Sequence, residues 1–199
     1  MAFDALHVVI AGGGLSGLAL AQGLVKDGHT VEVLEREEDF SRNKQGYTLN
    51  FTGTAGMALH RVLPEDLYEL YRASSARSWA RRQSIVLDDQ LTELGARDTT
   101  GPANDGPRNH TAVHRRALRQ ILQARLEGSI RYGVAVTGFE EDEDGVTVQL
   151  SNGSTTRGDL LVGADGIRSS VRAQLLPDVP VVGEGVSGIG IYGPDGPRP

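Results

Sequence analysis

The chain has 199 residues, of which 39% are hydrophobic and 23% are charged, as in ordinary globular proteins. Its net charge of −6 argues against a nucleic-acid-binding surface, and no apolar stretch approaches the length of a membrane span. The absence of cysteine excludes disulfides, thiolate catalysis and cysteine-ligated metals. Because the sequence enters its first apolar run within a few residues, we expect no signal peptide and a cytoplasmic protein.

The first predicted element is a short apolar strand that leads directly into a glycine motif. The motif is Gly12-x-Gly14-x-x-Gly17, and a helical pattern follows it at once. Gly12 permits a tight turn, Gly14 lets the backbone approach a pyrophosphate, and Gly17 allows the helix to pack closely on the strand. The helix N-terminus, which includes Leu15 and Ser16, offers N–H groups to an anion. This arrangement predicts a dinucleotide-binding turn.

A second strand-like run ends at Glu35, eighteen residues after Gly17, so we predict strand, helix and strand over residues 6–35. A carboxylate at this position would accept hydrogen bonds from ribose hydroxyls. Its charge would repel a 2′-phosphate and disfavours NADP, although the neighbouring Arg36 weakens that argument. FAD and NAD both remain possible, and the alternative is a glycine-rich turn in an ordinary βαβ unit.

The middle of the chain alternates between strand-like and helical patterns. In order, we predict a strand, two helices separated by a proline, a hairpin and a loop rich in glycine and proline. These elements are expected over residues 46–51, 54–74 with a break at Pro64, 84–94 and 99–110.

A strong helical pattern then runs from Arg115 to Leu126, with Leu118, Ile121 and Leu122 facing inward together with Leu126. An antiparallel β-meander is expected over about residues 134–157, forming a separate small layer.

The apolar run at residues 159–164 is predicted to be a parallel central strand beside the first strand. A short helix follows it, carrying Val171 and Leu175. From Pro177 the chain is rich in proline and glycine, and we expect no packed terminal element there.

Three separated segments resemble one family. They are residues 12–17 with Glu35, then Val-His-Arg-Arg-Ala-Leu at 113–118, then Val-Gly-Ala-Asp-Gly-Ile-Arg-Ser-Ser-Val-Arg at 162–172. Together they resemble the FAD-dependent aromatic hydroxylases, single-component flavoprotein monooxygenases with a fold like that of p-hydroxybenzoate hydroxylase. The third segment is far more specific than the glycine motif.

The resemblance implies roles for individual residues. The three motif glycines would approach the FAD pyrophosphate, Glu35 would bind the adenosine ribose, and Arg115 would contact the FAD. Asp165 would lie near the pyrophosphate, in a motif also implicated in the use of NAD(P)H. Arg42 would touch the flavin side from the loop at residues 42–46.

The resemblance also implies a reaction. NAD(P)H as co-substrate reduces FAD, oxygen adds at flavin C4a, and the resulting hydroperoxide hydroxylates a small aromatic or polyketide-like compound. Because the flavin carries the chemistry, no catalytic side chain is expected. No metal site is expected either: His110 and His114 are four residues apart, but no carboxylate completes a set.

The matched segments correspond only to the first half of the family's pattern. The third FAD motif, the sheet that covers the substrate and the C-terminal helices are not found. We therefore expect an α/β fold with a Rossmann-like βαβ core, a mixed sheet and an antiparallel meander layer. Residues 1–176 would form an incomplete FAD-binding domain, and residues 177–199 an irregular tail.

Two functional hypotheses follow from this partial match. The first is an FAD-dependent monooxygenase. The alternative is a truncated, catalytically incompetent FAD-binding module, or a half-protein completed by a partner chain or a homodimer. A short-chain nicotinamide dehydrogenase is set aside, since no tyrosine has a lysine four residues later.

Overall fold

The structure is a computed structural model that describes residues 4–39, 47–51, 53–77, 83–98 and 111–183. Its strands are β1 (His7–Ala11), β2 (Thr30–Glu35), β3 (Thr48–Phe51), β4 (Ala76–Arg77), β5 (Gln83–Leu87), β6 (Glu93–Asp98), β7 (Thr111–His114), β8 (Ile130–Tyr132), β9 (Val136–Asp142), β10 (Gly145–Leu150), β11 (Thr155–Gly158) and β12 (Leu160–Gly163). Its helices are α1 (Leu15–Lys26), α2 (Gly53–Val62), α3 (Glu65–Ser74), α4 (Arg115–Gln123) and α5 (Ser170–Leu175), with a 3₁₀ helix over Glu127–Ser129. The predicted α/β fold class is confirmed.

The strand–helix–strand unit predicted over residues 6–35 is also confirmed. It forms β1, α1 and β2, within a four-stranded sheet of order β12-β1-β2-β8 in which every neighbouring pair is parallel. The side chains of Val8, Val9 and Ile10 in β1 are fully buried. A strand covered on both faces needs apolar side chains at successive positions, which explains the continuous apolar run.

The two faces of this sheet are covered by different layers. Val8 and Ile10 pack in one core cluster with Leu18 of α1, whereas Val9 packs in a second cluster with Val148 of the meander. Successive side chains of a strand point to opposite faces, so β1 contributes to both clusters. The sheet is thus held between helices and an antiparallel layer, which leaves the carboxyl ends of β1 and β2 to form a site.

The predicted meander is confirmed as a separate antiparallel sheet of order β11-β10-β9. Its turns contain Gly145 and Gly153, whose φ angles of +139° and +82° suit glycine. Antiparallel pairs also occur in a sheet of order β3-β7-β4 and in the β5–β6 hairpin. The mixed pairing that we expected within one sheet is therefore divided between a parallel core sheet and separate antiparallel sheets.

The helical predictions for the middle of the chain are confirmed. Pro64 separates α2 from α3, with a φ of −55° at the position before the first helical residue. Leu118, Ile121 and Leu122 of α4 are buried, as predicted. Leu126 follows the end of α4 rather than lying within it, yet it is only 1% exposed, because the chain turns back onto the same core.

The predicted central position of residues 159–164 is wrong. β12 pairs in parallel with β1, as expected, but it is an edge strand among the described residues. Leu160 is 49% exposed. An apolar run indicates that the faces of a strand are buried. A central position depends instead on backbone hydrogen bonds to a second neighbouring strand, and the side-chain pattern does not encode those bonds.

Some predictions fall on residues that the structure does not describe. Arg42, the loop over residues 99–110 and residues 184–199 of the tail lie outside the described ranges. Residues 177–183 are described and have neither helix nor strand. Within the ranges given above, no helix is both long enough and apolar enough to cross a membrane.

Candidate functional site

A cleft of about 360 Å³ lies at the carboxyl ends of β1 and β2, beside the N-terminus of α1. Ligands of α/β proteins bind at this edge, because strand ends and helix N-termini meet there. Predicted site residues from distant parts of the sequence line the cleft together: Gly12, Gly14, Glu35, Arg36, Arg115 and Asp165. Glu37, Arg119 and Arg168 line the cleft as well, and the sequence analysis did not single them out.

The structure gives a different reason for glycine at each of the three motif positions. Gly12 has a φ of +106°, and a Cβ there would lie 2.4 Å from the carbonyl oxygen of Ala164. A Cβ on Gly17 would lie 2.0 Å from the carbonyl oxygen of Gly12, so Gly17 keeps α1 close to the turn. A Cβ on Gly14 would meet no atom within 4 Å. The fold therefore requires Gly12 and Gly17, whereas Gly14 borders open space.

The N-terminus of α1 begins at the cleft, with Gly14 as its N-cap. Leu15 is half-buried against the core and Ser16 is exposed, and neither lines the cleft with its side chain. The first helical turn, residues 15–18, contains no acidic residue in the sequence. The positive end of the helix dipole therefore faces the cleft without a carboxylate in that turn to neutralise it, which favours an anion.

Glu35 lies on one side of the cleft and is only 7% exposed. Its Oε2 accepts a hydrogen bond from the backbone N–H of Gly13 at 3.0 Å, and its Oε1 accepts one from the backbone N–H of Glu37 at 3.0 Å. Nη2 of Arg119 lies 3.4 Å from the same Oε2 as Gly13. Because a carboxylate has about four acceptor positions, the one that remains for a ligand hydroxyl is on Oε1. Glu35 thus lines the cleft, and its role in binding a ribose stays a prediction.

Arg119 is the buried cation of the cleft, with a side chain that is 4% exposed. It donates to the carbonyl oxygen of Gly13 and to the carboxylates of Glu35 and Glu37. The apolar pattern of α4 predicts an inward face made of leucine and isoleucine, and it does not reveal this arginine. The spacing contained the clue, since residues four apart lie on one side of a helix and Arg119 follows Arg115 by four.

Three further arginines line the cleft from positions that are partly or fully exposed. The guanidinium carbon of Arg115 lies 5.7 Å from the centroid of the Tyr47 ring, and the backbone N–H of Arg115 donates to the carbonyl oxygen of Tyr47 at 2.9 Å. The aromatic contact and the backbone bond place Arg115 at the beginning of α4. Arg36 and Arg168 line the cleft from exposed positions, so the cleft contains several cations within reach of an anion.

Asp165 follows β12, which lies on the other side of β1 from β2, so Asp165 and Glu35 line the cleft from opposite sides of β1. Its Oδ2 accepts from the backbone N–H of Ser170 at 2.8 Å. The Ser170 hydroxyl lies 3.2 Å from the same oxygen, but it donates its single hydrogen to the closer carbonyl oxygen of Val136 at 2.6 Å. Its Oδ1 is buried and has no hydrogen-bond partner among the described residues. Burial raises the pKa of Asp165, but hydrogen bonds from Ser169 and Ser170 lower it by more, so the pKa lies below its ordinary value.

Asp165 is not the N-cap of α5. The N-cap is Ser169, whose hydroxyl oxygen accepts from the backbone N–H of Arg172 at 2.9 Å. Asp165 instead accepts from the first residue of the helix. One of its two oxygens is used in this way, and the other is left for a further donor.

The cleft therefore combines a helix N-terminus and arginines with a carboxylate on each side of β1. Such a site can hold an anion and accept hydrogen bonds from hydroxyl groups. In the part of the chain that the structure describes, no group of three or more histidine, aspartate or glutamate side chains could hold a metal ion.

The comparisons with known proteins agree with one another on the family of this chain. Residues 5–188 match the family described as the FAD binding domain. The dual O-methyltransferase/FAD-dependent monooxygenase CTB3 of Cercospora beticola is 31% identical, with 92% of this chain and 21% of that protein covered. Aurachin C monooxygenase/isomerase of Stigmatella aurantiaca is also 31% identical, with 87% of this chain and 43% of that protein covered.

Solved structures share the fold. A Photorhabdus luminescens structure described as an FAD-containing monooxygenase has a TM-score of 0.73 and 27% identity, covering 87% of this chain and 43% of that one. Klebsiella pneumoniae HpxO, complexed with FAD, has a TM-score of 0.63 and 24% identity, covering 85% of this chain and 42% of that one. The chain thus spans less than half of these relatives.

The family match extends over nearly the whole chain, and the motifs on which the resemblance rested meet at one cleft. The chain belongs to the FAD binding domain family, whose relatives here are FAD-dependent monooxygenases.

Proposed function

We propose that this chain binds FAD and provides the FAD-binding part of an NAD(P)H-dependent monooxygenase. The observation that carries the proposal is the open space in front of Gly14, where an added Cβ would meet no atom within 4 Å. This space adjoins the N-terminus of α1, and Gly14 lines the same cleft as Glu35 and Arg115. A dinucleotide pyrophosphate requires close backbone approach at this position.

The adenosine diphosphate half of FAD fits the chemistry of the described residues. The pyrophosphate would lie at the N-terminus of α1, with Arg115 and Arg36 as cations beside it. A ribose hydroxyl would donate to Glu35. The adenine would lie against Ala135 and Val136, which give that side of the cleft an apolar surface.

The unpartnered oxygen of Asp165 also fits this cofactor. Because the pKa of Asp165 is lowered, its carboxylate is ionised near neutral pH and can only accept hydrogen bonds. It would therefore accept from a cofactor hydroxyl, or from a water molecule between the carboxylate and the pyrophosphate. Direct contact with a phosphate oxygen would place like charges together.

The cofactor itself would supply the redox chemistry: when bound, FAD accepts hydride from NAD(P)H and activates oxygen for insertion into a substrate. The names of the relatives support this reaction class. We propose a small aromatic or polyketide-like substrate. The residues of this chain would bind and orient the cofactor, and none of them is assigned acid–base or nucleophilic catalysis.

A second candidate is an FAD-binding module that becomes active only with further polypeptide or with a partner chain. The edge position of β12 favours it, since Leu160 in that strand is 49% exposed and the nearby Ile167 is 77% exposed. The curated relatives quoted above are also longer than the region that matches, because this chain covers 21% to 43% of them. In this case FAD would bind but would not be positioned for hydroxylation.

The proposal of FAD binding is tested by purifying the chain, recording its visible spectrum and titrating it with FAD. Gly14→Val should abolish binding without unfolding the protein, because its side chain would occupy the cleft. The matched control is Gly95→Val: a Cβ there also meets no atom within 4 Å, but Gly95 lies in β6, where valine is well tolerated. Equal FAD affinity in wild type and Gly14→Val would contradict the proposal.

The two candidates differ in what the purified chain does with NAD(P)H. Hydroxylation of an aromatic substrate in proportion to the NAD(P)H consumed would support a complete monooxygenase. NAD(P)H oxidation that yields hydrogen peroxide without hydroxylated product would support the incomplete module. The second result is the one that we expect, because an unprotected flavin site admits water.

A further inference from the structure

We propose that Arg119 is a positioning residue for the cofactor: it fixes the carboxylate of Glu35 and the peptide of Gly13, so that Glu35 accepts from a ribose hydroxyl in one defined orientation. This inference rests on the proposed function, because it concerns how the same cleft recognises the adenosine half of FAD. Arg119 would act through Glu35 and would not contact the cofactor.

Arg119, Gly13 and Glu35 form a closed set of hydrogen bonds. The Nε of Arg119 donates to the carbonyl oxygen of Gly13 at 3.2 Å, and its Nη2 lies 3.4 Å from Oε2 of Glu35. The same Oε2 accepts from the backbone N–H of Gly13 at 3.0 Å. The guanidinium, the peptide and the carboxylate therefore hold one another, and none of the three can rotate without loss of a bond.

Arg119 is also tied to the following turn, since its Nη1 donates to Oε2 of Glu37 at 2.9 Å. A planar guanidinium presents its donors in a fixed fork, so contacts to three groups define its orientation completely. Its side chain is 4% exposed. All of these contacts are made within the protein. Because Arg119 belongs to α4, they fix the carboxylate of Glu35 relative to that helix.

Charge gives a second reason for an arginine at this position. Glu35 and Glu37 are two carboxylates that line a cleft proposed to hold a pyrophosphate. Without a cation between them, the two carboxylates would repel each other and would also repel the pyrophosphate of the cofactor. Arg119 neutralises this pair through Oε2 of each glutamate, which leaves a position on Oε1 of Glu35 for the ligand.

A positioning role predicts a change in selectivity for the ribose, which a merely structural role would not produce. The probes are ADP, 2′-deoxy-ADP and 3′-deoxy-ADP, together with FAD. Wild type should bind ADP about tenfold more tightly than the deoxy probe whose missing hydroxyl donates to Glu35. In Arg119→Met this ratio should fall to about threefold or less, while the affinity for FAD falls by about tenfold or more.

Three further variants make the test specific. Arg119→Lys keeps the charge but cannot reach three groups at once, so the ADP selectivity should lie between those of wild type and Arg119→Met. Arg116→Met, at the exposed neighbouring arginine of α4, should leave the selectivity unchanged. The double variant Glu35→Gln with Arg119→Met should have the same ADP selectivity as Glu35→Gln alone, because Arg119 is proposed to act through Glu35.

The outcomes separate this inference from the proposed function. If wild type binds neither FAD nor ADP, the proposed function fails and the inference fails with it. If wild type binds both and the folded Arg119 variants keep the wild-type ADP selectivity, only the inference is overturned. Thermal unfolding establishes which variants are folded; unfolding of both Arg119→Met and Arg119→Lys would show a purely structural role and would also overturn it.

Discussion

The carboxylates on the two sides of β1 differ in how completely the protein satisfies them. On one side, the two oxygens of Glu35 accept from the N–H groups of Gly13 and Glu37, and Arg119 lies beside them. On the other side, one oxygen of Asp165 accepts from Ser170, and the other has no partner among the described residues. Both oxygens of Glu35 thus have donors within the protein, whereas only one oxygen of Asp165 has a donor among the described residues.

The difference follows from where each carboxylate lies in the sheet. Glu35 ends β2, which has β1 on one side and β8 on the other, so neighbouring segments surround it. Asp165 follows β12, which is an edge strand among the described residues, and the adjoining Ile167 is 77% exposed. A central strand end can be supported from several sides, whereas an edge strand end leaves room for a group from outside.

The largest expected effect is at Glu35. Glu35→Gln would place an amide NH₂ against one of the two backbone N–H groups that the carboxylate now binds. We expect FAD affinity to fall by roughly 1–3 kcal/mol and the free energy of unfolding to fall as well. Isothermal titration and urea unfolding measure the two effects. The control is Glu37→Gln, which removes the charge paired with Arg119 but keeps one acceptor oxygen and both backbone bonds of Glu35. A loss as large as that of Glu35→Gln would break the comparison.

A smaller effect is expected at Asp165. Asp165→Asn removes the negative charge and keeps one acceptor oxygen, so FAD affinity should fall by about 1 kcal/mol, or about fivefold. Ser170→Ala is the matched control: it removes the hydroxyl beside Asp165, with its hydrogen bond to the carbonyl oxygen of Val136, but keeps the backbone N–H bond to Asp165. If Asp165→Asn bound FAD as tightly as wild type, the unpartnered oxygen would have no part in cofactor binding.

The smallest effect lies in the meander, away from the cleft. The Asp142 carboxylate accepts from Arg157 at 2.6 and 2.8 Å, and this interaction lowers the pKa of Asp142 from its ordinary value of 3.8 to about 2. Because the folded-state pKa is lowered, the stabilising contribution is present above pH 3.8 and is lost as the pH falls through about 2.

This pH dependence is checked by comparing the unfolding free energies of wild type and Asp142→Asn between neutral pH and about pH 2. The difference between the two proteins should shrink over that window, and NMR titration should give the low pKa directly. FAD affinity of Asp142→Asn at neutral pH should equal that of wild type. A loss of FAD affinity would mean that the meander and the cleft are coupled.

The residues of the cleft show which kinds of information the sequence carries. The motif glycines and Glu35 were found from spacing, because the turn, the helix start and the second strand are consecutive in the chain. Arg115 and Asp165 were found only through the resemblance to the flavoprotein monooxygenases. Arg119 was not found, since a single arginine within an apolar helical pattern is ordinarily a surface residue whose stem covers the core.

Local pattern alone determined the strands and helices, the glycine turn, the burial of β1 on both faces and the separate meander. These features depend on the periodicity of apolar side chains and on backbone conformations that neighbouring residues impose. Only the tertiary structure decided that β12 lies at an edge, that Arg119 joins Gly13 to Glu35, and that one oxygen of Asp165 has no partner. Each of these three features depends on contacts between segments that are far apart in the chain. Side-chain periodicity shows that a face is buried, but it does not show which group covers that face.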